Sequence, residues 1–296
     1  MSNSDSDLAA MATILEQSGN YRVLRRLVPR TLSKAADDSE IGIILDFETP
    51  GLDTSNDEVI EIAMVKFSYS SRGEVTAAVD TFSSFNQPSN SIPSEITALT
   101  GITDEMVRGQ RIDTTAVASF VADASIVIAH NASFDRKFAE RNWSVFKEKQ
   151  WACSVEEIEW RKYGFDGSRL GYLLAGVGYF YEAHRAVEDC QALLEILSFN
   201  LPKTSTTALS VLLKRARRKT FRIWAEGSPF DLKDELKQRG YRWNDGNDGR
   251  LKSWYVDVDE SARGQEIEYL QKQIYRRQIE PHVQNISALN RFSNRV

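Results

Sequence analysis

The segment IGIILDFETPG, residues 41–51, is an aliphatic run that takes on two acids, Asp46 and Glu48, before Pro50 and Gly51 break it. Side chains of a strand alternate between its faces, so residues two apart point the same way. Asp46 and Glu48 therefore share one face at the end of a buried strand. Like charges held that close resist ionising unless a cation sits between them. Such a strand either finishes in two exposed acids before a turn or gathers negative charge at the end of a sheet, where that charge needs a partner.

The surrounding pattern supplies the sheet. Strands are expected at 41–48, 59–70 and 75–85, followed by a helical patch, SEITALTG, that ends at Gly101. A helix at 114–123, a short buried strand at 125–129 and a helix from about Ser133 come next. Three strands, then helix and strand in alternation, predict an α/β sheet of mixed direction.

Residues 1–40 read as a helical leader, with Leu8, Met11, Ile14 and Leu15 at helical spacing and YRVLRRLV as a second run. The sheet-forming unit occupies 41–200. A joint at Leu201-Pro202 opens a basic linker, 201–218, and a small βαββα domain fills 219–296. Its parts are a strand TFRIWAEG, a helix SPFDLKDELKQRG, a hairpin turning at 244–249 and a last helix at 265–275. Residues beyond Pro281 read as weakly structured.

Charge divides along the same boundaries. The net charge of −5 hides 13 Lys/Arg against 24 Asp/Glu in 41–200, and 19 against 12 in 201–296. An acidic unit that handles a polyanion needs cations or a basic helper, and the chain carries such a helper at its end. Lys214, Arg215, Arg217, Arg218 and Lys219 are the candidate phosphate contacts there. Phe221, Trp224, Tyr241, Trp243, Trp254 and Tyr255 either stack bases beside them or form the small domain's core, and a protein-docking module is the alternative role. No apolar run approaches the roughly 20 residues of a membrane span. The start has no secretory signal, and Cys153 and Cys190 lack metal-ligand spacing. The expectation is a cytoplasmic protein with buried thiols and no membrane contact.

Two more segments add to the acids on the first strand. In IAHNASFD a strand runs into a helix opening that holds Asp135. In HRAVEDCQALLEIL, Ala186, Cys190, Leu193 and Leu197 mark a buried helical stripe with Asp189 beside it, and His184 precedes the helix. Four carboxylates and a histidine thus fall at the ends of buried elements, with no Lys or Arg patterned to neutralise them. Hard divalent cations, Mg²⁺ or Mn²⁺, suit such oxygens, whereas zinc lacks its Cys/His set. Two ions about 3.5–4 Å apart can clamp the attacking and leaving oxygens of a phosphodiester.

DFETPGLD, PSEITALTGIT, IAHNASFD and HRAVED, in order and in register over residues 41–199, resemble the motifs of the DEDDh exonucleases, the DnaQ-like family. The resemblance implies an RNase H-like mixed sheet flanked by helices and stepwise hydrolysis from a 3′ end to nucleoside 5′-monophosphates. By position, Asp46, Glu48 and Asp189 would hold two Mg²⁺ or Mn²⁺ ions, with Asp46 bridging, and Asp135 would complete the second site. His184 would be the general base. Thr49, Gly51 and Leu52 would support the terminal nucleotide, and His130 and Asn131 would join them in binding substrate. Pro50 departs from the common second threonine of the first motif, which changes the donors available to the 3′ end. DNA, single-stranded or frayed, is the favoured substrate. RNA 3′ trimming is the alternative, and a non-catalytic binding or assembly protein is the third reading. A replication or repair protein as partner, or a second copy in a homodimer, is compatible with the family.

Overall fold

The computed structural model of the chain describes residues 3–247 and 249–296, with side chains from Asp7 onward. Residues 1 and 2 of the expected leader and Asp248 of the expected hairpin lie outside the described residues.

The leader is helical only in its first half. Helix α1 (Asn3–Gln17) leaves Leu8, Met11 and Ile14 exposed. The run YRVLRRLV is extended instead of helical, because β1 (Arg25–Arg26) pairs in parallel with residues 179–180. Beyond it the Ser33 N–H donates to the Ala78 carbonyl at 2.8 Å, fastening the segment along the sheet edge.

The central sheet comprises β2 (Glu40–Glu48), β3 (Glu61–Tyr69) and β4 (Val75–Phe85), then, after α2 (Ser94–Thr100), α3 (Asp104–Val107) and α4 (Thr114–Val121), β5 (Ile126–Ala129). Helix α5 (Ala132–Asn142) leads to β6 (Gln150–Cys153), and α6 (Ser154–Glu157), α7 (Leu170–Gly176), β7 (Tyr179–Phe180) and α8 (Ala186–Ser198) follow. Strand order is β4-β3-β2-β5-β6, with β3 antiparallel to its neighbours β2 and β4, and β2, β5 and β6 mutually parallel. The mixed sheet read from the sequence is present, with its strand ends shifted by a residue or two.

Alternation along β2 decides what faces what. Ile43, Leu45 and Phe47 pack under α4 and α5 with Val117, Phe138 and Trp143, whereas Ile44 packs under α7 and α8 with Cys190 and Leu193. Asp46 and Glu48 keep step with Ile44. They therefore emerge on the side covered by α8, the helix that carries Asp189.

The expected linker 201–218 is not a linker. Residues 208–216 form α9 (Ala208–Ala216), capped by Thr207, whose hydroxyl accepts from the Ser210 N–H at 3.1 Å. Leu209, Leu212 and Leu213 are buried in the core shared with α8. Burial of each contributes about 1.5–3 kcal/mol, which an exposed joint cannot match. Gly73, in the β3–β4 turn, has φ +77°, and a Cβ there would stand 2.6 Å from the Ser210 backbone. The charged half of LLKRARRK had masked its apolar stripe.

The C-terminal sheet consists of β8 (Thr220–Ala225), then, after α10 (Lys233–Gln238), β9 (Arg242–Asn244) and β10 (Ser253–Asp259), and, after α11 (Arg263–Tyr269), β11 (Val283–Ile286), in the order β11-β8-β10-β9. Residues beyond Pro281 are thus ordered: β11 extends the expected βαββα unit by a strand. The segment after it returns to the central sheet, where the Trp151 N–H donates to the Ala288 carbonyl at 2.8 Å. Arg136 of α5, which has no exposed surface, donates to the carbonyls of Ala288 (3.0 Å), Arg291 (2.7 Å) and Leu289 (2.5 Å). Among the described residues no helix is long and apolar enough to cross a membrane.

Candidate active site

Asp46 and Glu48 at the end of β2 and Asp189 in the first turn of α8 each offer one carboxylate oxygen, and the three oxygens lie within 4.8 Å of one another. Asp135, in the first turn of α5, is buried beside this trio and is near enough to act on the charge of Asp46. Segments far apart in sequence thus bring four acids to one edge of the sheet, where the parallel strands β2 and β5 end.

Burial lifts Asp46 well above the ordinary carboxylate range, and the charges of Asp135, Asp189, Glu48 and Glu61 lift it further. Glu48 is pushed up to about 8, chiefly by burial and then by Asp189, Glu61 and Asp135, against the pull of Arg185. Burial raises Asp135 to about 8, although the backbone N–H groups of Asp135 and Phe47 oppose it. Asp189 is raised by burial and held back by its hydrogen bonds. Those are the Tyr181 hydroxyl donating to Oδ1 at 2.7 Å and the His184 backbone N–H donating to Oδ2 at 2.9 Å.

Among the described residues no Lys or Arg side chain is hydrogen-bonded to any of the four acids. Such a set, all oxygen and short of positive charge, fits hard divalent cations. Any bound ion would reverse the upward shifts by supplying the missing charge.

His184 sits in the loop before α8, exposed, with φ +69°. Its left-handed backbone is what lets its own N–H turn back onto Asp189. Thr49 is buried, with its hydroxyl donating to the Gly51 carbonyl at 2.6 Å. A Cβ on Gly51 would stand 2.3 Å from Asp57 Oδ2, an atom that already accepts the Asp53 N–H at 2.7 Å. This packing presents Leu52, near the acids in sequence, to solvent at 84% exposure. Asn131 is exposed at the N-cap of α5. His130 differs from expectation: Nδ1 hydrogen-bonds the Ser154 hydroxyl at 2.7 Å, Nε2 is buried, and burial pushes the ring down to about 4. It is held at the β5–α5 corner by Ser154, with Nε2 unpartnered among the described residues.

The basic segment is partly committed. Arg215 and Arg218 reach Asp259 at 2.9 and 3.8 Å, and Arg217 reaches Glu40 at 3.3 Å. Lys214 and Lys219 are exposed. Of the aromatic residues, Phe221, Trp224 and Tyr241 are buried, Trp254 and Tyr255 half-buried, and Trp243 is 51% exposed.

Three residues at the site escaped the sequence reading. Glu61, fully buried on β3, is the direct cross-strand partner of Glu48. Arg185 pairs with it at 3.4 Å, and Tyr181 holds Asp189. The acid inside VIEIAMV, alone in an apolar strand, was the available signal for Glu61.

An α/β sheet with a carboxylate centre at the end of its first long strand, covered by the helix that supplies another acid, defines an RNase H-like nuclease. Residues 43–197 match the family described as Exonuclease, just over half of the chain. The chain belongs to that exonuclease family and is a DnaQ-like member of it. It is 34% identical over 167 residues to a PolC-type DNA polymerase III from Clostridium perfringens, covering 54% of this chain and 11% of that protein. A PolC-type DNA polymerase III from Thermotoga maritima is 30% identical over 189 residues, 57% of this chain and 13% of that protein. The chain therefore spans little more than a tenth of the length of these curated relatives. The zinc-bound structure of an E. coli ExoI–ssDNA complex has a TM-score of 0.50 at 14% identity, over 85% of this chain and 66% of that one, a likeness of fold.

Proposed function

We propose that the protein is a divalent-metal-dependent 3′–5′ exonuclease that removes nucleoside 5′-monophosphates from single-stranded or frayed DNA ends. The carrying observation is the convergence of Asp46, Glu48 and Asp189 oxygens within 4.8 Å, beside buried Asp135 and with His184 on the rim. Similarity to polymerase III chains that handle DNA favours DNA over RNA.

Asp46, Glu48 and Asp189 would hold two Mg²⁺ or Mn²⁺ ions, with Asp46 shared and Asp135 contributing to the second. Bound there, the ions would acidify an attacking water and stabilise charge on the phosphodiester oxygens. Tyr181 and the His184 N–H fix the Asp189 carboxylate, so that its orientation is set before substrate arrives. His184 would accept a proton from the attacking water, a role worth about 10²–10⁴-fold in rate. Thr49 and Gly51 shape the turn that offers Leu52 to the last base, and exposed Asn131 borders the same edge.

The test is product analysis on matched 5′-labelled single-stranded DNA, duplex DNA and RNA, with Mg²⁺, Mn²⁺ or EDTA. A ladder shortening from the 3′ end, fastest on single-stranded DNA and absent in EDTA and in Asp46→Asn, is the expected result. Release from the 5′ end, or full activity in Asp46→Asn, would overturn the assignment. Faster trimming of RNA would transfer the same chemistry to the other sugar.

A further inference from the structure

A cleft of about 300 Å³ separates the exonuclease fold from the C-terminal sheet. Ser133 and Lys137 of α5 and Glu156 of α6 line one wall, and Arg222, Arg242 and Asp257 line the other. We infer that this cleft receives the single strand upstream of the 3′ end, with Lys137 and Arg242 contacting its phosphates, an inference that rests on the exonuclease reading above.

Position is the first support. The N-terminus of α5 and the start of α6 follow the C-terminal ends of β5 and β6, and the acids emerge from the C-terminal end of β2 beside them. Cleft and acid centre therefore open on one edge of the sheet, the edge at which parallel α/β strands bind ligands. Ser133 and Lys137 lie two residues to either side of Asp135. At 100° per residue they face away from it, so a strand passes from the acids to the cleft over the N-terminal end of α5, by exposed Asn131. Crossing a helix about 10–12 Å wide, with phosphates about 3.4 Å apart along a stacked strand, takes roughly three to four nucleotides.

Charge is the second. The exonuclease unit is acidic overall, whereas the far wall carries two arginines, Arg222 and Arg242, around the single acid Asp257. Arg222 and Arg242 flank the Tyr255 ring, their guanidinium carbons 4.4 and 4.9 Å from its centroid, and both hydrogen-bond Asp257. The side chain of Arg242 is still 60% exposed. Arginines beside an aromatic ring suit a single-stranded nucleic acid.

The walls are fixed to each other. Arg291, from the segment after β11, pairs with Glu157 of α6 at 2.6 Å, and Arg215 of α9 pairs with Asp259 of β10 at 2.9 Å. The cleft is thus a built channel and not a gap between loose bodies.

The test measures anisotropy of 5′-fluorescein thymidine strands of three and twelve nucleotides in EDTA, across salt concentrations. It uses the full chain and its Lys137→Ala/Arg242→Ala double variant. The expected result is at least a tenfold fall in the ratio of long-strand to short-strand affinity, with a loss of roughly 1.4 from the salt slope for two phosphate contacts on a single strand. An unmoved ratio and slope, in a variant that melts like the parent, would overturn the inference. Release of mononucleotides in Mn²⁺ is scored separately. Release with an unmoved ratio removes the cleft and keeps the exonuclease reading, whereas the expected binding without release removes the exonuclease reading and the path to its site.

Discussion

Arg185 reaches Glu61 at 3.4 Å, and Glu61 lies directly across the strand pair from Glu48. The pair puts a cation at the border of a centre that otherwise holds only acids. Glu61 raises Glu48, and Arg185 pulls it down. Glu61 also faces the Ala186 N–H at 3.4 Å, at the start of the helix that bears Asp189. Carbon-13 titration of the Glu48 carboxyl in metal-free protein should show a midpoint of about 8. Glu61→Gln should move it down and Arg185→Ala up, each by roughly half a unit to one unit. Shifts of the same sign in both variants would contradict this account.

The raised carboxyls make metal-free stability depend on pH with a definite sign. Glu48 and Asp135, each lifted to about 8, keep protons that the unfolded chain has already released at a lower pH. Their contribution is complete below about pH 4 and is lost as pH rises through about 8. Without metal, the melting temperature should therefore fall between pH 5 and pH 9, and less so in Glu48→Gln. Added Mn²⁺ should restore stability most at the alkaline end, by about 2.7 kcal/mol at a hundredfold excess over its dissociation constant. Thermal scans with and without the ion check both statements. Equal stabilisation by Mn²⁺ at pH 5 and pH 9 would show that the ion does not bind at these acids.

Periodicity made most of the fold legible. The alternation in IGIILDFE set the strand, its two faces and the shared direction of Asp46 and Glu48, because a half-buried strand cannot slip by one residue without turning its core outward. Asp189 could be placed beside the stripe of α8 for the same reason. What could not be read depended on distant partners. Arg25–Arg26 is a strand only because residues 179–180 lie alongside, and α9 looked like a basic joint because its end and the residues after it are charged, although five of its nine residues are buried. After Pro281, residues 283–286 owe their order to pairing with β8, and 288–291 to Arg136 and Trp151, more than a hundred residues earlier; nothing local announces either. The inward turn of His130 likewise required Ser154, which the motif does not contain.

His184 combines an exposed ring with a left-handed backbone, so replacing it tests two things at once. Alanine removes the imidazole proposed as the base and also strains the turn that holds the N–H against Asp189. Asparagine tolerates left-handed geometry better than other residues and keeps that N–H bond. His184→Asn should lower turnover by about 10²–10⁴-fold while Mn²⁺ affinity, followed by calorimetry, stays within about twofold. His184→Ala should lose turnover and some metal affinity as well. If asparagine costs as much metal affinity as alanine, the backbone argument fails.

The contacts of Arg136 tie the end of the chain to the helix that carries Asp135. Its guanidinium has no exposed surface, pairs with Glu140 at 2.7 Å and fills three carbonyls of the returning segment. Burial depresses it to about 10, still far above neutral, so it remains charged in the folded protein. Arg136→Met keeps much of the stem but leaves Glu140 and those carbonyls without the donors that met them. The cost should be about 2–4 kcal/mol in urea unfolding, the range for breaking buried charged hydrogen bonds. Arg136→Lys should recover only part of it, because one ammonium cannot span the carbonyls that a planar fork spans. Limited proteolysis should cut residues 287–296 in Arg136→Met well before the parent is cut there. Since Asp135 is the adjacent residue, Mn²⁺ affinity should weaken in the same order: parent, lysine, methionine. A methionine variant as stable and as protease-resistant as the parent would mean that the segment is held by its other contacts, the Trp151 N–H and the Arg291–Glu157 pair.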